Sequence, residues 1–258
     1  MESSHFAGNR AQKKWNLNIL LILHIIAAIL VTTLFSSVTS GFWQWIDISF
    51  FKMINNTLEG NRLWQTFWAM ANHRNADWVE DVCIFLFFAA HIRSVQKGFK
   101  TRKIAEIIFF VLYTALVIFF INHLLFKQTL SVTRDSPSKV IDSYSRISDS
   151  LTWISVKESS SKSFPGDHGT TALFFAVGFS YLANRRLGIL ACIYAAFLCM
   201  PRMIAGAHWL TDVIIGSGSI VMLFLGWAFC TPLFSSSVDK IEGFLLWAKS
   251  LLKKEAQT

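Results

Sequence analysis

Two histidines and one aspartate have the types and spacing for chemistry. His208 and Asp212 are four residues apart, which places two side chains on one face of a helix. A carboxylate there can hold one imidazole nitrogen in place and leave the other free to attack phosphorus. His168 follows Pro165-Gly166 at the start of an apolar run. That reads as a helix N-terminus, whose free amides and positive end favour an anion. A second histidine can protonate a departing oxygen. Three cations accompany the histidines: Lys127, Arg134 seven residues on, and Arg202 just ahead of His208. Three cations suit a phosphate and its transition-state charge, and the planar arginine fork binds phosphate oxygens bidentately. No cluster of carboxylates or cysteines offers a divalent-metal cage, so charge stabilisation falls on the cations. No metal and no cofactor are expected.

The elements that must position these residues are membrane helices. The chain has 258 residues, 53% of them apolar, with 24 Phe and 10 Trp. Charged residues make up 16%, against ~25% in soluble domains, and the mean hydropathy is +0.44. This is the composition of a polytopic all-α membrane protein with one integral domain over residues 1–258. The net charge of +8 is spread in short clusters between apolar runs, which argues for membrane topology and against nucleic-acid binding. Cys83, Cys192, Cys199 and Cys230 lie in or beside apolar runs without a CxxC spacing and read as small buried hydrophobes.

Six spans are expected: Trp15 to Phe35, Trp78 to His91, Ile104 to Phe126, His168 to Leu182, Leu187 to Ala205 and Trp209 to Ala228. The first is too long for a signal-peptide core and reads as an uncleaved span behind Lys13 and Lys14. The third gives ~34 Å of helix against a ~30 Å hydrocarbon core. The second is interrupted by Glu80 and Asp81, which face a bundle interior, an interface or a substrate. Six spans put both termini on one side. That side carries 14 Lys and Arg and the opposite side 10, so the positive-inside rule places the termini in the cytoplasm. Segments 37–77 and 127–167 then face outward. Glu106, near the cytoplasmic end, is expected to snorkel. Residues 238–254 read as an interfacial amphipathic helix. The stretch Phe42, Trp43, Trp45, Ile46, Phe50 and Phe51 reads as an outward interfacial anchor and also as a lipid-docking surface. All the candidate chemistry, within residues 127–212, falls on the outward face.

The strings Lys127-x6-Arg134, Pro165-Gly-Asp-His168 and Arg202-x5-His208-x3-Asp212 resemble the type 2 phosphatidic acid phosphatase family, which also includes the vanadium haloperoxidases. The family pattern is Lys-x6-Arg-Pro, Pro-Ser-Gly-His and Ser-Arg-x5-His-x3-Asp. Three departures stand out. Asp135 replaces a proline, Gly166-Asp167 replace Ser-Gly, and Pro201 replaces a serine. The lost serines remove hydroxyl donors to phosphate, a part that Ser163 or backbone amides take over. Asp167 reads equally as a helix cap or as a partner of the site cations. The resemblance implies a six-span helical bundle with interfacial helices. It implies His208 as nucleophile, Asp212 as its orienting partner and His168 as acid and later base. Lys127, Arg134 and Arg202 would bind phosphate, with Ser163, Gly166 and Asp167 behind them.

The wording Ser163-Phe-Pro-Gly-Asp-His-Gly169 and Pro201-Arg-x3-Gly-Ala-His-Trp-x-Thr-Asp212 is similar to one bacterial branch of the family. Gly41-Phe-Trp-x2-Ile-Asp47 and Cys230-Thr-Pro-Leu233 are similar to it less specifically. The branch implies an inner-membrane enzyme with a periplasmic site that passes the distal phosphate of undecaprenyl diphosphate to the 1-phosphate of lipid A. Two alternatives stay open: a lipid phosphatase with water as acceptor, and a non-catalytic channel or scaffold of the same fold. The oligomeric state is not encoded in any motif. His5, His24, His73, His91 and His123 match no motif and read as solvated, interfacial or structural. Lys139, Arg146, Lys157 and Lys162 read as a solvated loop face that also attracts an anionic headgroup.

Overall fold

In a computed structural model, residues 15–255 are described; His5, Lys13 and Lys14 lie outside them. The described residues are helical throughout, apart from loops and one isolated parallel bridge between Arg134 and Lys162. The helices are α1 (Leu17–Phe35), α2 (Ser40–Asn55), α3 (Arg62–Asn72), α4 (Ala76–Arg93), α5 (Lys100–Val117), α6 (Pro137–Val140), α7 (Ile147–Ser150), α8 (Asp167–Leu182), α9 (Arg185–Ile204), α10 (Gly218–Cys230) and α11 (Leu233–Glu255). Two of them continue as wide π-helical turns. Ile118–Thr129 extends α5, and Asp212–Ser217 leads into α10. Such turns recur at functional sites, and here they carry Lys127 and Asp212.

Among the described residues, four helical stretches are long and apolar enough to cross a membrane: Leu17–Phe35, Lys97–Thr129, Arg185–Ile204 and Asp212–Cys230. The chain is a membrane protein on that composition. The two other expected spans, α4 and α8, are shorter or carry more charge. α8 has 16 residues, about 24 Å of helix, short of a ~30 Å core. Nine of those sixteen are buried, because α8 is the central helix, packed against α9, α10 and α5. α4 carries Asp77, Glu80 and Asp81 on its first turns.

Close approach at the centre depends on small residues. A Cβ added at Gly178 of α8 would stand 2.1 Å from the Phe110 ring of α5. α1 lies along α10, and the Asn16 amide donates to the Cys230 carbonyl at 2.7 Å. α8 and α9 join through a tight turn, where the Asn184 side chain accepts from the Leu187 amide at 3.0 Å and caps α9.

α11 begins earlier than the amphipathic pattern implied, and it does more than lie on a surface. Phe234 and Val238 are buried against the main core, and Ile241 and Leu245 pack on it. Arg102 at the start of α5 donates to Asp239 at 3.0 Å and to Glu242 at 2.9 Å. Glu106 does not snorkel to water: it is 7% exposed and accepts from Lys103 at 2.7 Å. This ion network docks α11 along α5. Beyond it, Phe244, Trp247 and Leu252 remain exposed.

The 130–166 connection is long, and long connections without extended secondary structure are commonly functional. It is tied down at both ends. The Arg134 amide donates to Ser161 at 3.1 Å, and the Ser163 amide donates to Arg134 at 3.0 Å. Two buried asparagines staple its middle to the end of α9. Asn55 donates to the carbonyls of Ser145 and Ile204, at 3.1 and 2.9 Å. Asn72 donates to those of Lys157 and Pro201, at 3.3 and 2.8 Å.

Gly178→Ala drives a methyl into the Phe110 ring. Overpacking of this kind costs about 1–3 kcal/mol, so the Tm of the detergent-solubilised protein should fall. An unchanged Tm would show that α5 and α8 do not seat at this glycine.

Candidate active site

His208 is placed by a turn. α9 ends at Ile204, and Gly206 adopts a φ of 87°, a region that L side chains rarely adopt. The Arg202 carbonyl accepts from the Ala207 and His208 amides, at 2.9 and 3.3 Å. His208 therefore precedes the next helix and does not share a helical face with Asp212. Its Nδ1 lies 2.8 Å from the Ser163 carbonyl and 3.7 Å from Asp212 Oδ2. A backbone carbonyl only accepts, so Nδ1 carries the proton and Nε2 keeps its lone pair. The carbonyl of Ser163, not the aspartate, is the direct hydrogen-bond partner of the ring.

Asp212 is fully buried and otherwise occupied. Its Oδ2 accepts the Trp209 amide at 2.8 Å, as in half of a capping box. Its Oδ1 pairs with Arg134. It acts on His208 as a fixed negative charge nearby.

The Ser163 hydroxyl does not face an open site. It is buried and donates to the Arg134 carbonyl at 2.9 Å. Its hydroxyl locks the loop and its carbonyl holds His208. Gly166 lies against the His208 ring, where a Cβ would stand 3.5 Å from Nδ1. Its carbonyl accepts from the Thr170 amide and the Ser217 hydroxyl, both at 2.8 Å. It precedes α8 without a side-chain cap, so the first-turn amides point outward from the helix end.

Arg134 is the hub of this half. It pairs with Asp212, donates to Asp47 Oδ2 at 2.7 Å and to the Thr211 hydroxyl at 2.9 Å, and lies 6.0 Å from the centre of the Trp209 ring. Asp47 in turn accepts from the Thr211 amide at 2.9 Å and its hydroxyl at 2.6 Å. Burial pushes the Asp47 carboxyl above the usual range, and the Thr211 hydrogen bonds and Arg134 oppose that rise.

The other half surrounds His168. Its Nε2 lies 3.4 Å from Asp77 Oδ1 and 3.4 Å from Arg202 Nη2. Arg202 is nearly buried. Its Nη1 donates to Asn72 Oδ1 at 2.6 Å, and its Nη2 is 3.9 Å from Asp77. Lys127 pairs with Asp167, which settles the two readings of Asp167 in favour of a cation partner. Asn122, fully buried on the π-helical turn, donates to Asp167 at 3.3 Å and to Thr170 at 2.8 Å.

Two of the loop lysines are more than a solvated face. Lys162 donates to the Lys127 carbonyl at 2.8 Å. Partial desolvation, with the charges of Arg202 and Lys127, lowers the Lys157 pKa, while Asp167 and Asp77 raise it. Lys157 therefore shares the field of both cations.

The structure thus links Lys127 to Asp167, Arg134 and Asp212 to His208, and Arg202 to His168. Asp47 and Thr211 belong to the Arg134 half and Asn72 and Asp77 to the Arg202 half, and none was singled out by spacing as a site residue. One signal was present for Asp47: a carboxylate inside the run Phe42–Phe51, where an unpaired charge is costly. Asn72 and Asp77 had none. Of the other histidines, His24 and His91 have structural surroundings. His24 Nδ1 is 2.8 Å from the Leu20 carbonyl, and Trp227 donates to its Nε2 at 3.2 Å. His91 is buried against Phe179.

A helical bundle carrying two histidines, a buried carboxylate and three cations fits a phosphatase-type membrane protein. The PAP2 superfamily pattern matches residues 105–237, more than half of the chain, and the chain belongs to that superfamily. It is similar to lipid A 1-diphosphate synthase of Escherichia coli (strain K12), at 30% identity over 219 residues that cover 84% of this chain and 90% of that protein. No solved structure matches the chain.

Asn72→Ala removes the acceptor that fixes Arg202. Misplacing a positioning group by about 1 Å can cost ~100-fold in rate, so kcat/KM for phosphoryl transfer should fall about 10- to 100-fold in a protein that still folds. Unchanged kinetics would show that other contacts set Arg202.

Proposed function

We propose that the protein is a phosphotransferase that moves the distal phosphate of undecaprenyl diphosphate to the 1-phosphate of lipid A through a phosphohistidine on His208. The observation that carries this reading is the 2.8 Å contact between His208 Nδ1 and the Ser163 carbonyl, which leaves Nε2 as the nucleophile. The similarity to lipid A 1-diphosphate synthase supports the choice of acceptor.

In the first half-reaction Nε2 of His208 attacks the distal phosphorus, and His168 gives its proton to the leaving polyprenyl phosphate. In the second, an oxygen of the acceptor phosphate attacks the phosphohistidine and His168 takes back a proton. Arg202 and Lys127 neutralise the transferring group. Lys127 exchanges Asp167 for phosphate as it does so. Arg134 acts from behind, since its fork is shared between Asp47 and Asp212. The uncapped start of α8 adds amide donors and the positive end of the helix dipole. The proposed setting is a bacterial inner membrane, with six helices arranged across it, both termini cytoplasmic and the site periplasmic, in keeping with the basic residues that flank the apolar runs.

Purified protein given labelled undecaprenyl diphosphate and lipid A should place the label on lipid A. Label released only as free phosphate, with lipid A present, would make the protein a phosphatase and reject transfer. His208→Gln should lower the rate by about 10³-fold or more. Full activity in that variant would reject the catalytic reading and return the bundle to a scaffold.

A further inference from the structure

A cavity of about 270 Å³ lies beside the Arg134 half of the site, between the end of α1, the start of α2 and Trp209. Its walls combine aromatic faces, from Phe35, Trp43 and Trp209, with the polar side chains of Ser40, Gln44 and Asp135. Asp135 stands where the family motif has proline, so this chain has placed an additional carboxylate in the wall.

Charge argues against an anion in this cavity. Its one arginine, Arg134, is shared by Asp47 and Asp212. Lys139, which approaches Asp135 at 3.6 Å, is neutralised by that carboxylate. What the cavity offers is hydrogen bonding and ring faces. Gln44 and Asp135 accept from hydroxyl and amide groups, and Gln44 also donates. The indole N–H of Trp43 is buried and has no hydrogen-bond partner among the described residues. Aromatic faces carry negative charge. They therefore attract the C–H groups of a sugar ring, which adjacent oxygens polarise.

The rim identifies the rest of the ligand. Val38, Phe42 and Trp45 are exposed around the α1–α2 corner, at the C-terminal end of the apolar helix α1. Pockets that enclose a small molecule usually reach ~300–1,000 Å³. This one has room for a sugar and not for lipid chains, which remain on the apolar rim and in the bilayer.

We propose that this cavity is the acceptor subsite, in which the sugar ring of a saccharide lipid lies against Trp43 and Trp209 while its phosphate reaches the phosphohistidine. The proposal rests on the transfer reading above and adds to it where the acceptor sits. Trp209 adjoins His208 in sequence, and Arg134 reaches both the cavity and Asp212. The acceptor's phosphate oxygen forms the new bond to phosphorus. The bond from phosphorus to Nε2 breaks, its electron pair returns to Nε2, and the acceptor's proton passes to His168. The donor then occupies the other half, beside Arg202 and Asp77.

The test separates the two half-reactions in full-length protein in detergent micelles. Gln44→Ala and Trp43→Phe touch neither histidine. Both should form phosphoenzyme from labelled undecaprenyl diphosphate within about twofold of the wild-type rate, while the KM for lipid A rises at least tenfold in Gln44→Ala. Trp43→Phe, which keeps a ring and loses the N–H, should fall between wild type and Trp43→Ala. An unchanged KM for lipid A in all three variants overturns the proposal. A rise in the donor KM instead also overturns it, by giving the cavity to the donor. Lipid A lacking the 1-phosphate reads the cavity without catalysis. Radiolabelled and added to His208→Ala protein, it should bind, and a further Gln44→Ala change should weaken that binding at least tenfold. Equal binding to both proteins overturns the proposal. Binding to the cavity with no transfer by the wild type would sink the transfer reading and leave the saccharide site standing.

Discussion

The arrangement depends on a single guanidinium, half-buried against two buried carboxylates. Arg134 joins α2 through Asp47, the start of the last span through Asp212 and Thr211, and the long loop through its own backbone at Ser161 and Ser163. Removing one partner of a buried ion pair leaves an uncompensated charge and typically costs about 3–5 kcal/mol. Arg134 has two carboxylate partners and so ties the three segments together, alongside the direct hydrogen bonds from Thr211 to Asp47. The same backbone link sets Ser163, and Ser163 sets the tautomer of His208. A residue that motif spacing suggests for phosphate binding is thus first a structural junction, one step behind the reacting atoms.

The other half is built differently. Arg202 is held by a neutral amide, Asn72, and faces Asp77 only at 3.9 Å. Its charge is less fully matched than that of Arg134, which suits a group that must receive an anion. Asn72 also holds Lys157 and Pro201. One buried side chain thereby sets the cation, the loop over it and the end of the helix that carries it. His168 lies between Arg202 and Asp77, with one charge of each sign near the same nitrogen. That setting suits a group that gives a proton in one step and takes it back in the next.

Much of this was legible in the sequence, and the failures share a cause. Lys127, Arg134, His168, Arg202, His208 and Asp212 declared themselves by residue type and spacing, and the apolar runs gave the all-helical membrane class. Spacing describes neighbours along the chain. It did not reveal Asp47, Asn72 or Asp77, whose partners lie 87, 130 and 91 residues away. Nor did it reveal the His208–Ser163 contact, which spans 45 residues. The i to i+4 rule anticipated a helical pair at His208 and Asp212, but Gly206 turns the chain and the helix begins only after Trp209. Hydropathy outlined six runs, the second broken by Glu80 and Asp81, but it did not separate α8, enclosed at the centre, from helices such as α1 that face outward. Burial by protein and burial by lipid look alike in a hydropathy profile.

The central claim is that Ser163 holds Nδ1 of His208 and leaves Nε2 to take the phosphate. The most direct measurement is the identity of the phosphorylated nitrogen. Phosphoenzyme trapped from undecaprenyl diphosphate under alkaline denaturing conditions, digested and examined by ³¹P NMR, reports both the residue and the ring position. The account predicts phosphate on Nε2 of His208. Phosphate on Nδ1 of His208, or on His168, would contradict it.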